Sequence, residues 1–303
     1  MRVLLTGASG YLGSHLLDGL LDAGHHVTAL VRDPSRLGPL ASHPHTTPAR
    51  ADLTDHARVA EIVTTGHDAC VHAALIWGEP GEELGLPDTI AAARLFEAAG
   101  LAGVGCCVLI SSTAVHRPFA PLMSEADPLT PADLYGATKA AAELFLWAAC
   151  ATHAMRGVAL RAGPIVGPPA RPDGAHRSDR RLRAMVEAAA HHAPLHALTH
   201  DGRQLVAAAD VTRATLAALH TPDASGPYLC ADHRVTRWAD IAALILDTTP
   251  STSALHLAPA PDPQPAPRFD TSRIEALLGG PLDSHRALIA HIEHLYLATS
   301  ITS

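Results

Sequence analysis
Tyr135 and Lys139 stand one helical turn apart in Tyr135-Gly136-Ala137-Thr138-Lys139, and Lys139 is the only lysine; the other 21 of the 22 Lys and Arg residues are arginine. Helical spacing puts both side chains on one face. A guanidinium is a broad planar fork, whereas an ammonium is a compact donor on a flexible stem. A chain that takes nearly all its positive charge from arginine has therefore kept one group able to donate to a sugar hydroxyl and also hold charge close to a phenol. The chemistry this pair suits is proton transfer by tyrosine coupled to hydride transfer.

Such chemistry needs a hydride carrier, and the N-terminus offers a place for one. An apolar strand, Arg2 to Thr6, runs into Gly7-Ala8-Ser9-Gly10-Tyr11-Leu12-Gly13 and then a helix-periodic segment, Leu16, Leu17, Leu20 and Leu21, that ends at Gly24. A glycine-rich turn between strand and helix lets backbone approach a pyrophosphate, and the helix N-terminus adds partial positive charge. The second strand, Val27 to Val31, ends in Arg32-Asp33, with Arg36 close behind. An acid at this point grips a ribose 2′-hydroxyl, whereas an arginine accommodates a 2′-phosphate. Arg32 and Arg36 favour NADP(H) over NAD(H), and Asp33 is the residue that argues the other way. Asp52-Leu53, after the third strand, is expected along the adenine edge.

Further buried strands are expected at Ala69 to Ala74, Cys107 to Ser111 and Gly157 to Leu160, with helices at 57–63, 88–99 and 133–153 between them. Strands alternating with helices predict an α/β fold, a Rossmann-type doubly wound parallel sheet covered on both faces. A chain of 303 residues exceeds one ordinary core. We expect residues 1–167 to form the dinucleotide-binding domain, with 203–222 returning to it. Residues 168–202 and 223–303 are expected to form a smaller, partly C-terminal substrate-binding lobe. The stretch from 168 to about 200, rich in Pro, Arg and His, reads as loops, and Pro259 to Pro267 as an extended connection.

Composition removes several alternatives. Net charge is −8 and aromatics make up 4%, so neither a phosphate-tracking surface nor a base-stacking platform is expected, and nucleic acid is not an expected partner. No signal-peptide core and no apolar run of membrane-spanning length is read, which predicts a soluble, cytoplasmic protein without membrane contact. The five cysteines, Cys70, Cys106, Cys107, Cys150 and Cys230, lack metal-ligand spacing. Pro194 interrupts the helix that would align His192, His196 and His200, so no metal is expected.

The chain resembles the extended short-chain dehydrogenase/reductases of the NAD-dependent epimerase/dehydratase type. The resemblance rests on Thr6 to Gly13, Ala51-Asp52-Leu53, His72-Ala73-Ala74, Ser111 to Val115, Tyr135 to Lys139 and Arg161 to Pro168, with weaker echoes at Arg203 to Val211 and Phe269 to Gly279. It implies a triad in which Tyr135 exchanges a proton with the substrate oxygen, Lys139 binds the nicotinamide ribose, and Ser112 hydrogen-bonds the substrate oxygen. It also implies cofactor contacts at Gly7, Ser9, Gly10, Tyr11, Leu12, Gly13, Arg32, Arg36, Asp52, Leu53, Ala73, Ala74, Lys139 and Pro164, and a homodimer through a helix pair. Trp77, Thr113, His116 and Arg203 are the expected substrate contacts, with ordinary packing the alternative for Trp77 and His116.

Departures from the pattern narrow the reaction. Thr113 and Ala114 occupy positions where dehydratases and decarboxylases of the family carry acids, so neither has its extra general acid or base. Pro164 replaces an Asn usual near a nucleotide-sugar pyrophosphate, Ala207 a common His, Asp88 a helix-starting Asn, and His116 the Tyr of a Val-Tyr pair. Plain hydride transfer remains. The expected function is an NADP(H)-dependent ketoreductase or alcohol dehydrogenase acting on a small or medium organic substrate, with a nucleotide-sugar C4-epimerase or 4-ketoreductase as the alternative. A nonenzymatic dinucleotide sensor ranks last, because it needs neither Tyr135 nor Lys139.

Overall fold
The computed structural model describes residues 1–76, 86–171, 174–259 and 266–302. Seven parallel strands form the central sheet: β1 (Arg2–Thr6), β2 (His26–Val31), β3 (Thr46–Arg50), β4 (Ala69–His72), β5 (Cys106–Ser112), β6 (Arg156–Ala162) and β7 (Gly226–Cys230). Their spatial order is β7-β6-β5-β4-β1-β2-β3, so the winding reverses between β1 and β4. A doubly wound sheet opens a crevice beyond the carboxyl ends of its strands at that reversal.

Because both faces are covered, the inner strands β1, β4 and β5 read as near-continuous apolar runs rather than alternating ones, whereas the edge strand β3 is mostly polar. On one face α1 (Tyr11–Asp22) packs beside α6 (Ala208–His220) and α8 (Ser272–Leu278), burying Leu16, Leu17, Leu20, Val211 and Ile274 against Val3, Leu5, Val108 and Val158. On the other, α2 (His56–Val63), α3 (Leu86–Leu101) and α4 (Leu134–His153) bury Val59, Ile62, Leu95, Phe96 and Leu146 against Leu4, Cys70 and Leu109. A separate core joins α5 (Arg180–Ala190), α7 (Trp238–Thr248) and α9 (His285–Thr302), with Leu182, Val186, Trp238, Ile241 and Ile292 at its centre.

Two boundaries differ from expectation. Residues 223–303 are not all substrate lobe: Gly226–Cys230 pairs in parallel register with Val158–Ala162, and α8 sits on the main sheet. Tyr228, Leu229 and Cys230 are too short an apolar run to stand out after Gly226-Pro227, yet all three are buried. The stretch from 168 to 200 is also more regular than its composition implies. Asp179 caps α5 by accepting from the Arg181 and Leu182 amides at 2.8 and 3.2 Å, and Leu182, Met185, Val186 and Ala189 form its buried stripe. Among the described residues, no helix is long and apolar enough to cross a membrane.

Candidate active site
A cavity of about 850 Å³ lies over the carboxyl ends of the strands, and the glycine-rich turn lines it. Gly7 has φ of +75°, and a Cβ there would stand 2.7 Å from the Ala74 amide nitrogen; a Cβ on Gly13 would stand 1.9 Å from the Gly7 carbonyl oxygen. Both positions therefore require glycine, and the backbone forms a smooth cradle without side chains. Gly10, at the N-cap of α1, supplies no side-chain acceptor. Asp55, Asp133 and Asp179, by contrast, cap α2, α4 and α5. The first amides of α1 face the cavity without a side-chain partner, as a pyrophosphate requires.

At the β2 end the cavity meets Arg32 and Arg36. Asp33 does not line it: its carboxylate accepts from the Ser35 amide at 3.0 Å and the Ser35 hydroxyl at 2.8 Å, and these bonds hold it below the usual carboxylate range. Asp52 lines the cavity but also caps its own turn through Thr54, and Arg32 contributes to keeping it ionised.

At the other end the catalytic candidates converge. Ser112 ends β5, and its hydroxyl accepts from the Ala114 amide at 3.2 Å, capping the short 3-10 turn Thr113–His116. Helix α4 lies hard against that turn, for a Cβ on Gly136 would be 2.6 Å from the Ala114 carbonyl oxygen. Gly136 thus lets α4, which carries Tyr135, pack against the turn that Ser112 caps. Lys139 is buried at 5% exposure, and its ammonium donates to the Ile110 carbonyl at 3.1 Å. Behind it, His72 accepts or donates at Thr6 Oγ1 at 2.7 Å, and burial, aided by Lys139, pushes its imidazole down to about 3. Asp88, buried in the first turn of α3, accepts from the Ile76 amide at 2.8 Å; burial raises its carboxyl and Lys139 opposes the rise. Lys139→Arg is expected to impair turnover despite conserving charge, because the larger fork cannot enter this buried slot and keep the Ile110 contact; steady-state kinetics equal to wild type would contradict this.

The substrate-side wall is cationic. Arg177 lies close enough to Tyr135 for their charges to interact, and Ala175, His176, Ser178 and Asp179 continue the same edge. Arg203, on the short strand Gly202–Arg203, also faces the cavity, and its Nε is buried without a hydrogen-bond partner. Thr113 and Pro164 line the cavity as well.

Gly7, Ser9, Gly10, Tyr11, Leu12, Gly13, Arg32, Arg36, Asp52, Leu53, Ala73, Ala74, Pro164, Ser112, Tyr135 and Lys139 all border this one space. His116 does not. It is fully buried behind the Ser112 turn against Arg161, which corrects its reading as a substrate contact. Trp77 lies outside the described residues. The cavity is also lined by Val31, Ile76, Ile110, Ser111 and Gly163, which lie at or just beyond strand ends and follow from strand direction, and by Arg177, one of a cluster with Arg180, Arg181 and Arg183 that the sequence leaves open between a diphosphate contact and a solvated face.

Comparison with known proteins gives three kinds of likeness. The profile of the family described as "NAD dependent epimerase/dehydratase" matches residues 3–231. A UDP-glucose 4-epimerase of Azospirillum brasilense is 33% identical over 175 residues, 55% of this chain and 49% of the relative, so the match spans about half that protein's length. A dihydroflavonol 4-reductase of Zea mays is 27% identical over 302 residues, covering 91% of this chain and 82% of the relative. The crystal structure of UDP-glucuronic acid 4-epimerase from Bacillus cereus, in complex with UDP-glucuronic acid and NAD, shares the fold with a TM-score of 0.81 at 20% identity, covering 98% of this chain and 100% of that one.

Proposed function
Since this chain belongs to the NAD-dependent epimerase/dehydratase family, we propose that it transfers a hydride at a secondary carbinol or keto carbon of a nucleotide-diphosphate sugar, as a C4-epimerase or 4-ketoreductase. The observation that carries this reading is that two arginines, Arg177 and Arg203, line the cavity, Arg177 within electrostatic reach of Tyr135. A neutral organic ketone has no use for two guanidinium groups, whereas a diphosphate accepts from them in charge-assisted bonds. The sequence ranks the neutral-ketone reductase first; these two arginines support the alternative.

A nicotinamide dinucleotide, bound along the glycine cradle, supplies the hydride acceptor and donor. Tyr135 takes the proton from the substrate hydroxyl as the carbon–hydrogen bond breaks, and returns it to the oxygen when hydrogen is restored. Ser112 orients that oxygen by a hydrogen bond. Lys139 keeps positive charge near the phenolate and offers its remaining donors to a ribose hydroxyl. Return of hydrogen to the opposite face would give the epimer with no net cofactor consumption; a 4-keto sugar supplied together with reduced dinucleotide would instead be reduced to the alcohol, with one dinucleotide oxidised per turnover and the proton supplied by Tyr135.

Arg203→Ala is expected to weaken UDP binding by roughly ten- to a hundred-fold, equivalent to about 1.5 to 3 kcal/mol for a charge-assisted contact. Calorimetric titration of UDP against both proteins measures it. Wild type that ignores UDP but reduces neutral ketones would restore the reductase reading, which Pro164 and the near full-length likeness to the maize reductase favour.

For the cofactor we infer NADP(H). Arg32 and Arg36 border the cavity at the end of β2, and Asp33 is engaged by Ser35. Arg32→Ala is expected to lower NADPH affinity by about ten- to a hundred-fold and leave NADH nearly unchanged. Equal weakening of both cofactors, or a wild-type preference for NADH, would refute the preference.

A further inference from the structure
Behind the Ser112 turn lies a buried polar network that the hydride-transfer steps do not use. Glu143, one turn beyond Lys139 on α4, has no solvent exposure; it accepts from the Ser111 hydroxyl at 2.5 Å and from Arg161 Nε and Nη2 at 3.1 and 2.8 Å. Arg161 Nη1 reaches His116 Nε2 at 2.9 Å and the Glu125 carbonyl at 3.1 Å. His116 Nδ1 lies 3.2 Å from the Pro128 carbonyl oxygen. Arginine can only donate and a carbonyl can only accept, so one form of the ring satisfies both neighbours: neutral imidazole, protonated on Nδ1.

We propose that neutral His116 is a positioning residue for the hydride-transfer site: held between Pro128 and Arg161, it fixes the end of the Thr113–His116 turn and so keeps Ser112, at the start of that turn, in register with Tyr135 and Lys139. The proposal rests on the hydride-transfer reading above. Each link is a short contact. Ser112 caps the turn at Ala114, Gly136 of α4 presses on the Ala114 carbonyl, and Arg161 ties the turn's last residue to Glu143 on the same helix. The network thus joins strand, turn and helix behind all three catalytic candidates. A misplacement of about 1 Å at such a site can cost on the order of 10²-fold in rate.

Protonation would point a second N–H at Arg161 and set two cations against each other. The charged groups around the ring are Arg161 from β6, Glu143 from α4 and Asp127 from the segment before it; burial and Arg161 together hold the imidazole below its usual range against the two carboxylates. Its neutral form is therefore present at neutral pH. Activity that depends on it is lost only as pH falls through the lowered value.

The test uses the full-length protein with UDP-glucose as the probe substrate. His116→Phe keeps a ring and removes both bonds; kcat is expected to fall on the order of 10²-fold, with KM and cofactor affinity nearly unchanged. Adding Ser112→Ala to His116→Phe should cost little more than Ser112→Ala alone, because both act through one hydroxyl. Independent, multiplying losses, or unchanged kcat in a folded His116→Phe protein, would overturn the proposal. A second measurement does not depend on turnover. Long-range 15N–1H correlation spectra of wild type should show His116 as the Nδ1–H tautomer at pH 7, its signal assigned by its loss in His116→Asn, and an Nε2–H tautomer or an imidazolium would overturn it. If Tyr135→Phe proves fully active, the hydride-transfer reading fails instead.

Discussion
Tyr135→Phe is expected to fold, bind the dinucleotide with wild-type affinity, and lose turnover on the order of 10²-fold or more. The substitution removes one oxygen from a half-buried side chain at the cavity wall and leaves α4 otherwise intact. Helix α4 does not depend on that hydroxyl, since Asp133 caps it through the Gly136 amide at 2.7 Å and Lys139 anchors it to Ile110. Neither Ser112, a neutral hydroxyl, nor Asp88, held at the Ile76 amide, is placed to take over proton exchange with the substrate oxygen. Cofactor titration and kcat measured on one preparation separate the two effects. Full activity would remove Tyr135 from the mechanism, and lost cofactor binding would show that its role is structural.

The second large effect is on stability. Glu143→Ala is expected to cost about 3 to 5 kcal/mol, because it leaves the Arg161 guanidinium, whose side chain is 4% exposed, without its counter-charge and removes the acceptor of the Ser111 hydroxyl. Glu143→Gln, which keeps an acceptor and the volume, should cost less. Urea denaturation of both variants measures the difference, and a loss below about 1 kcal/mol in Glu143→Ala would contradict the view that this pair holds strand, turn and helix together. Exposed pairs such as Arg58 with Glu61 should, by comparison, contribute less than about 1 kcal/mol each.

The parts of the site that were legible in sequence are those where chemistry and backbone geometry restrict the residue. Gly7 and Gly13 cannot carry a side chain, Arg32 stands at the end of a strand whose direction is fixed, and Tyr135 and Lys139 share a helix face by periodicity alone. His116 was misread for a physical reason. It follows Ser112 by four residues in a 3-10 turn rather than a strand or an α-helix, so neither a two-residue nor a 3.6-residue period tells which way its ring points, and the partners that draw it inward, Arg161 and Pro128, are remote in sequence or lie in a loop. Arg177 is indistinct in sequence from its arginine neighbours because only the path of the segment before α5 brings it to the cavity. The strand Gly226–Cys230 was missed because its pairing with β6 is a contact across more than sixty residues that no local pattern records.

The measurement that tests the central claim most directly follows deuterium placed at C4 of UDP-glucose through incubation with the protein and catalytic NADP+. Epimerisation, the first of the two reactions proposed, is expected to give by NMR the C4-inverted sugar with deuterium retained at C4 and no net reduction of the cofactor. Hydrogen leaves that carbon as hydride and returns as hydride, while Tyr135 exchanges only the hydroxyl proton. Loss of deuterium to solvent during inversion, or an unchanged UDP-sugar beside rapid reduction of a neutral ketone, would contradict it.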